Sequence, residues 1–302
     1  MNRARVNDTH DVRRPGLGTT YLGHDPALLA RVLPLVDYIE TTPDSIALIE
    51  CGSARIHPQC LEELKSIGGA AQVLVHGIGL SIGSHEGWVE GYLDLLDELL
   101  EHVPVAWHSE HLGYTVVDGA NLGTMLAMPR TDQALVMLSE RVTAIQRRYP
   151  MPFLVENIIH MLPDYPGDYS EAAFLNALVA RTGCGLILDV YNLECDAHNH
   201  GLDIGAFLAE LDLTKVREVH VACGSEYRGF LLDAHSRTTR QTTVDLANRV
   251  IEGAGGAVEV VTYELLREAV PALGYDRIED ELRMLRSAVS TPRPVQAVSR
   301  WS

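Results

Sequence analysis

Short apolar runs rich in β-branched residues recur along the chain, and a polar residue closes each of them. Seven runs end in a histidine or a carboxylate, and an earlier run over residues 37–40 also ends in a carboxylate, Glu40. Helix-like segments separate most of the runs, and this alternation predicts βαβ units with parallel strands. The seven runs cover residues 72–76, 105–111, 153–156, 185–189, 216–220, 230–235 and 258–264.

The segments between the runs carry the periodicity of amphipathic helices. Ser170, which precedes Glu171, is a suitable N-cap for one of them. A glycine- and asparagine-rich excursion follows residue 111, and a histidine- and asparagine-rich loop is expected after residue 189. The predicted helices lie near residues 59–66, 88–101, 132–148, 204–211, 243–252 and 275–287, with one more beginning at Glu171.

The fold class predicted from this series is α/β, a TIM-type (β/α)8 barrel, whose active site would lie at the carboxyl ends of the strands. One interval is short. Only residues 223–229 separate the sixth and seventh strand-like runs, whereas a parallel crossover usually needs a dozen or more residues. Either the barrel is irregular between strands 6 and 7, or the run 230–235 is a loop that leans over the site.

The length of the chain suits one large domain. It has 302 residues, and a barrel of this type takes about 250, so residues 15–289 are expected to form a single metal-binding barrel domain. Residues 1–14 are polar and lack the apolar core of a secretion signal. They are expected to be a flexible N-terminus, and residues 290–302 a flexible tail.

Composition and charge narrow the range of partners. The formal net charge is −17, which disfavours nonspecific binding to nucleic acid because the phosphates would be repelled. No apolar run is long enough to span a membrane. The five cysteines are odd in number and show no CxxC spacing, which indicates reduced thiols in a cytoplasm and no disulfide frame. We therefore expect a cytoplasmic protein with no nucleic-acid and no membrane partner.

The residues that close the runs are potential metal ligands. Imidazole nitrogen and carboxylate oxygen suit iron, manganese or zinc, and the lack of cysteine at run ends disfavours an iron–sulfur cluster or structural zinc. Eight such side chains are too many for one ion. They suit two or three ions held together by a bridging carboxylate such as Glu156. Seven of the eight close a run, and the eighth, Asp233, lies two residues before His235; the set is His76, His111, Glu156, Asp189, His220, Asp233, His235 and Glu264.

The motifs around these ligands are specific as a set. They are the glycine-rich segment 76–84, Ser109-Glu110-His111-Leu112, Leu154-Val155-Glu156-Asn157, Leu188-Asp189-Val190-Tyr191-Asn192, Asn199-His200-Gly201-Leu202-Asp203, Glu218-Val219-His220-Val221-Ala222 and Leu232-Asp233-Ala234-His235. With these motifs, from about residue 16 to residue 264, the chain resembles the multinuclear non-heme iron-dependent oxidases, the family of the methanobactin-biosynthesis oxidase. The first strand-end motif, Glu40-Thr41-Thr42-Pro43-Asp44, differs from the His-Pro-Glu-Asn type of many members.

The resemblance implies a TIM-type barrel that holds two or three iron ions and uses O2 as a co-substrate. The expected substrate is a ribosomally synthesised precursor peptide, modified at cysteine, and a small partner protein would present it. The resemblance also implies ligand roles for the eight residues named above. Among them, Glu156, Asp189 and His220 are expected to be catalytic.

Several residues beside the ligands are expected to act on substrate or on the ligands themselves. Gly83, Ser84, Asn157 and Asn192 are expected to touch substrate. Asn192 could reach the cluster as a neutral ligand or as a hydrogen-bond donor, and capping of its loop is equally open. His200 matches a family motif and is expected to orient ligands without binding metal.

His108 is not expected to bind metal. By strand alternation, its side chain points away from the side of His111. A packed or surface position is therefore the better prediction for this histidine.

Two other functional classes remain open. The order of ligand types is similar to that of metal-dependent endonucleases and sugar isomerases with the same barrel, in which zinc or manganese supports hydrolysis or isomerisation. The negative charge counts against DNA, and Asn192 stands where the nuclease pattern has a further histidine. A non-catalytic metal-binding or scaffold protein is the third class, disfavoured because structure needs few such ligands. Metal identity separates the first two classes, and O2 consumption separates the first from the third.

Overall fold

The computed structural model describes residues 14–50, 53–163 and 167–290. Nearly all of the two predicted flexible termini, residues 1–14 and 290–302, lies outside these ranges. None of the described helices is both long enough and apolar enough to cross a membrane.

Eight parallel strands close into a barrel, which confirms the predicted fold class. Each strand pairs with the next barrel strand along the chain, and the last pairs with the first. All carboxyl ends therefore meet at one mouth. The strands are β1 (Gly16–Thr20), β2 (Tyr38–Thr41), β3 (Gln72–Gly77), β4 (Val105–His111), β5 (Phe153–Glu156), β6 (Gly185–Asp189), β7 (Val216–Val221) and β8 (Val260–Tyr263).

Helices surround the barrel. Most of them begin at an N-cap residue whose side chain accepts a hydrogen bond from a backbone N–H of the first turn. Ser170 caps one helix through Ala173 N–H, as predicted, and Thr131 caps another through Ala134 N–H. The helices are α1 (Pro26–Val32), α2 (Pro58–Ile67), α3 (Glu90–Leu100), α4 (Asp132–Arg148), α5 (Glu171–Thr182), α6 (Val190–His200), α7 (Ile204–Glu210), α8 (Gln241–Gly253), α9 (Val270–Leu273) and α10 (Tyr275–Ser290).

The run 230–235 is not a barrel strand, so the second of the two alternatives is correct. Phe230–Leu232 pairs antiparallel with Ser225–Tyr227 in a hairpin that follows β7. The strand that completes the barrel is β1, which the apolar pattern misses because its sequence, Gly-Leu-Gly-Thr-Thr, holds one aliphatic residue. Gly18 is needed there: a Cβ would lie 2.7 Å from Thr262 Oγ1 on the neighbouring strand.

Two more segments differ from the loops that were expected. The excursion after β4 is a hairpin of Gly113–Val117 and Ala120–Ala127. The histidine- and asparagine-rich segment after β6 is the helix α6, which begins at the N-cap Asp189 and ends at Gly201 in the left-handed region. A cap at each end stabilises a helix of low periodicity, which apolar spacing alone does not reveal.

Strand alternation separates an apolar layer from a polar one inside the barrel. The lower interior layer is apolar and includes Trp107, Leu154 and Ile187. Two residues further along β4, β5 and β6, the side chains are Ser109, Glu156 and Asp189, all of them buried. Because side chains in a strand repeat every two residues, the polar layer lies directly above the apolar one, next to the mouth.

We predict that Gly77→Ala destabilises the protein. An added Cβ would lie 1.9 Å from Glu110 Oε1 and 2.2 Å from Tyr92 Oη, and both side chains are buried. Overpacking of this kind costs about 1–3 kcal/mol. The midpoint of thermal unfolding, measured on protein that a chelator has freed of metal, should therefore fall. Gly91→Ala is the matched control, because it lies in α3 with nothing within 4 Å of the new Cβ and gains helix propensity. An unchanged midpoint for Gly77→Ala would contradict the packing described here.

Candidate metal centre

Three donor atoms from three neighbouring strands form a small triangle at the barrel mouth. His76 Nε2 lies 2.9 Å from Glu156 Oε2, His111 Nε2 lies 3.2 Å from the same oxygen, and the two nitrogens are 3.3 Å apart. Bonds of about 2.1 Å at right angles would set the ligands of one octahedral ion roughly 3 Å apart. The triangle therefore has the size of one face of an octahedral site, with two imidazoles and one carboxylate.

Hydrogen bonds aim both imidazoles at this point. Ser109 Oγ donates to Val75 O at 2.9 Å, so it accepts from His76 Nδ1 at 2.9 Å. His111 Nδ1 donates to Gly77 O at 2.8 Å. With both Nδ1 atoms protonated, the Nε2 lone pairs face Glu156 Oε2. In these neutral rings three electron-rich atoms meet there, and either a proton or a metal cation is needed between them.

Glu156 joins this triangle to a second group of donors. Its other oxygen, Oε1, lies 3.0 Å from His220 Nδ1, and that nitrogen is also 3.2 Å from Glu264 Oε2. Asp189 reaches the same group, because ligand atoms of all four residues lie within 4.8 Å of one another. Glu156 thus presents one oxygen to each of two positions, as a bridging carboxylate would.

The hairpin after β7 carries two further donors to the edge of the group. His235 Nε2 lies 2.6 Å from Asp233 Oδ1 and 3.6 Å from Glu264 Oε2. His235 has φ 39, a left-handed conformation that is uncommon for a side chain other than glycine. The loop thus holds a costly backbone conformation at the place where it turns His235 towards Glu264.

Asp189 is fixed by reciprocal bonds between β5 and β6. Asn157 Nδ2 donates to Asp189 O at 3.0 Å, and Asp189 N donates to Asn157 Oδ1 at 2.9 Å. Asp189 Oδ1 accepts from Asn192 N at 2.7 Å as the cap of α6, which leaves Oδ2 for another partner. Asn192 Nδ2 donates to Asn157 O at 3.3 Å.

The protonation preferences of these groups reflect crowding of buried charge. Burial lowers the pKa of His76, but the carboxylates of Glu156 and Glu40 outweigh burial and raise it to about 9. Burial raises the pKa of Asp189, and neighbouring carboxylates raise it well above its ordinary value. Burial also opposes ionisation of Glu264, but two neighbouring imidazoles lower its pKa to about 2. Protons shared between imidazoles and carboxylates thus balance charge where a metal ion would otherwise do so.

The unpaired atoms of the group fit metal ions. Buried polar groups are nearly always hydrogen-bonded, yet several buried oxygens and nitrogens of the described residues at the mouth have no hydrogen-bond partner beyond their ion-pair contacts. An ion with oxygen and nitrogen ligands would satisfy them together. These atoms are Glu156 Oε2, Asp189 Oδ2, Asn192 Oδ1, His220 Nε2, Asp233 Oδ1, His235 Nε2 and Glu264 Oε2.

Sequence reasoning missed two carboxylates below His220. His220 Nε2 lies 3.3 Å from Glu40 Oε2 and 3.5 Å from Glu218 Oε1. Glu218 also accepts from Trp107 Nε1 at 2.9 Å, whereas Glu40 Oε2 has no hydrogen-bond partner. A carboxylate behind a metal-binding imidazole fixes its tautomer and orientation. The signals were present, since Glu40 closes a run and Glu218 precedes His220 by two residues on the same strand face.

Gly83 and Ser84 lie beside the hairpin after β4. Gly83 N donates to Gly113 O at 2.9 Å, and Ser84 Oγ donates to Val116 O at 2.5 Å. Gly83 also lines a cavity of about 610 Å3 with Tyr114. Ser84 does not line this cavity, so a substrate bound there would contact Gly83 and not Ser84.

His200 lies at the C-terminal end of α6. Its Nε2 is 2.7 Å from His160 O, and His160 Nδ1 is 2.5 Å from Asp196 Oδ2. His200 and His160 line a separate cavity of about 380 Å3. Any effect of His200 on the ligands would therefore pass through α6, which Asp189 caps.

His108 is packed behind the barrel wall, where alternation places it. It is buried, its Nε2 lies 2.9 Å from Glu110 Oε1, and its ring packs against Phe153 at 5.1 Å between centroids. This side of β4 faces the helices, opposite to His111.

Solved structures with a similar fold include a sugar epimerase and a zinc-bound protein. The chain superimposes on D-psicose 3-epimerase from Clostridium cellulolyticum H10, solved with D-tagatose, with a TM-score of 0.57 and 11% identity over 91% of this chain and 97% of that one. The IOLI protein, solved with a zinc atom, gives a TM-score of 0.56 and 14% identity over the same shares of the two chains. Identities this low show the fold alone, and both agree with the barrel.

Relatives with closer sequences come from several bacteria. The chain is 29% identical over 275 residues to a UPF0276 protein of Rhizorhabdus wittichii, covering 91% of this chain and 92% of that protein. It is 31% identical over 214 residues to a UPF0276 protein of Caulobacter vibrioides, covering 71% and 74%.

A protein-family comparison covers most of the chain. The family described as RiPP precursor modification enzyme MbnB/TglH/ChrH matches residues 16–270, which include all eight barrel strands and all eight predicted ligands. The family that the sequence motifs resemble is thereby confirmed. The chain belongs to the MbnB/TglH/ChrH family of RiPP precursor modification enzymes.

Proposed function

We propose that the chain is a multinuclear non-heme iron enzyme that uses O2 to oxidise a ribosomally synthesised precursor peptide at cysteine. The observation that carries this proposal is the face formed by His76, His111 and Glu156. Two histidines and one carboxylate on one face, with other positions open, are typical of non-heme iron(II) enzymes that use O2. Glu156 would also bridge to a second ion, so that the centre holds two or three.

The proposed ligands divide among the positions by distance. His76 and His111 would hold the first ion, with Glu156 as the bridge. His220, Asp189 and Glu264 would hold the second, and the loop residues complete the set. Asp233 and His235 lie closest to Glu264, which would place any third ion beside the hairpin.

Iron would supply the redox chemistry, with O2 as the electron acceptor and the peptide cysteine as the group oxidised. The protein's own residues set the conditions for it. Ser109 and the carbonyl of Gly77 hold the two imidazoles in one tautomer, and the Glu40 carboxylate, 3.3 Å from His220 Nε2, would favour a proton on that nitrogen. Asn157 and Asn192 fix Asp189, and the apolar layer below the ligands excludes water from that side.

A peptide has an apolar surface available around the mouth. Large apolar side chains are exposed on segments that follow the carboxyl ends of the barrel strands: Ile78 after β3, Leu122 after β4, Leu162 after β5 and Tyr227 after β7. Exposed apolar surface of this kind can bind a peptide or a protein. Precursor peptide, with or without a small partner protein that presents it, is the proposed occupant.

Hydrolysis or isomerisation with zinc or manganese is the competing activity. The ligand chemistry permits it, because carboxylates and imidazoles also bind these ions. Lewis-acid catalysis needs no electron acceptor, so dependence on O2 separates the two activities.

We expect the purified protein to contain more than one transition metal ion per chain, mainly iron. Eight nitrogen and oxygen donors converge at the mouth, and one ion would leave part of them as unbalanced buried charge. Elemental analysis of protein produced with ample iron measures the content. A total of about one ion per chain or fewer would contradict a multinuclear centre.

Glu156→Ala and Asp189→Ala should each lose metal and activity. Removing the bridge leaves two cations facing each other without a shared anion, and losing one ligand lowers metal affinity by about 10–100-fold or more. His108→Ala is the control on the outer face of β4 and should keep most of both. The His108→Ala change also breaks a buried contact with Glu110 and can lower stability, so the metal content is expressed per folded chain. If His108→Ala emptied the site while Asp189→Ala did not, the ligand assignment would be wrong.

Turnover of the peptide should require ferrous iron and O2, and should change the mass of a cysteine-containing peptide. Oxidation of the thiol side chain needs an electron acceptor, whereas hydrolysis and isomerisation do not. Mass spectrometry of the peptide after incubation with iron-loaded protein, with and without O2, measures the dependence. Under strict anaerobiosis, an undiminished mass change would point to the competing activity instead.

A further inference from the structure

A second group of metal-binding side chains lies outside the barrel mouth. It consists of His24, His57 and Cys60, and one donor atom of each lies within 4.8 Å of the others. Cys60 is fully buried, His57 is half-buried and His24 is exposed. None of the three belongs to the group around Glu156.

The spacing of the donors matches a tetrahedral ion. Cys60 Sγ lies 3.6 Å from His24 Nε2. Zinc bonds of about 2.3 Å to sulfur and about 2.0–2.1 Å to nitrogen set this edge of a tetrahedron at roughly 3.6 Å. The two imidazole rings meet edge to face, with centroids 4.3 Å apart, so both can face one point without stacking.

Local structure brings the donors together from separate segments. His57 is the N-cap of α2, and Cys60 is the third residue of that helix. Side chains at these two positions lie on the same side of the first turn. His24 comes from the loop between β1 and α1, where Gly23 and His24 both have positive φ, 62 and 51. A Cβ on Gly23 would lie 3.3 Å from Cys60 Sγ, so the loop passes close against the sulfur.

We propose that His24, His57 and Cys60 bind one zinc ion, separate from the barrel centre. One thiolate with two imidazoles is a donor set that binds zinc in preference to harder cations. Glu63 is nearby but engaged, since its carboxylate accepts from Tyr21 Oη at 2.5 Å and from Gln59 Nε2 at 2.8 Å. Water therefore completes the tetrahedron, on the exposed side of His24.

The zinc ion would tie the first loop of the barrel to α2. The carbonyl of Leu22, two residues before His24, also accepts from Arg267 Nε at 2.8 Å, and Arg267 follows β8. The site thus lies beside the seam where the first and last strands pair. Its role is to hold this seam, and it needs no peptide and no O2.

One existing contact must change when zinc binds. His57 Nδ1 accepts from Gln59 N at 3.2 Å, which leaves the proton on Nε2 in the neutral ring. Binding through Nε2 moves that proton to Nδ1 and gives up the cap. A single helix cap is weaker than a zinc–imidazole bond, so zinc prevails.

Cobalt(II) titration of the iron-loaded full-length protein tests the site, with thiols kept reduced by a phosphine. The barrel ligands are nitrogen and oxygen only, so a near-ultraviolet thiolate-to-cobalt charge-transfer band reports on a cysteine site alone. We expect the band to saturate at about one cobalt per chain and to vanish when zinc is added. Cys60→Ser should abolish the band, and His24→Ala should weaken cobalt binding by about 10-fold or more.

Matched variants keep the test decisive. Cys184→Ser removes another buried cysteine, and His102→Ala removes another histidine, and both should keep the band. Iron content and circular dichroism verify that each variant is folded. Absence of the band in folded wild-type protein, or its survival in Cys60→Ser, would overturn the proposal. Because iron content is read in parallel, failure of this site and failure of the barrel centre are distinguishable.

Discussion

The structure depends on the burial of one carboxylate between imidazoles. Glu156 is 1% exposed, and its two oxygens face His76, His111 and His220 at about the distances of ligands around shared ions. A buried charge costs several kcal/mol unless it is compensated. The barrel supplies the compensation in two ways, through imidazoles on neighbouring strands and through the space left for cations. The apolar layer below makes this compensation necessary, because it keeps water away from the carboxylate.

The barrel could be predicted because most of its strands are apolar runs that end in a polar residue. The pattern did not predict the elements that are stabilised by tertiary pairing or by helix caps. β1 is held by pairing with β2 and β8, and its Gly18 allows the close approach of Thr262. α6 is defined by its caps, Asp189 and Gly201, and its composition resembles a loop. Tertiary pairing and capping contacts do not appear in the spacing of apolar residues.

The site could be predicted where a ligand follows a strand, and less well where it depends on geometry. Position at the end of an apolar run suggested seven of the eight ligands, and the structure brings His76, His111 and Glu156 together at ligand distances. The sequence did not reveal that Glu40 and Glu218 lie behind His220, because a sequence gives no distances across a barrel. Nor did the sequence show that Gly83 and Ser84 hydrogen-bond to the hairpin after β4. The identity of the metal and of the peptide therefore rests on chemistry beyond the strand pattern.

Under the proposed function, the barrel wall and the loops would contribute unequally to metal binding. His76, His111, Glu156 and His220 lie on barrel strands, whose backbone is fixed by pairing on both sides. Asp233 and His235 lie on a loop, and His235 has an unfavourable φ of 39. Loops open locally more easily than barrel strands, and ligands that must be ordered bind metal less tightly. The metal positions bridged by Glu156 would therefore be occupied first. The loop that carries Asp233 and His235 would govern the occupancy of the position beside Glu264.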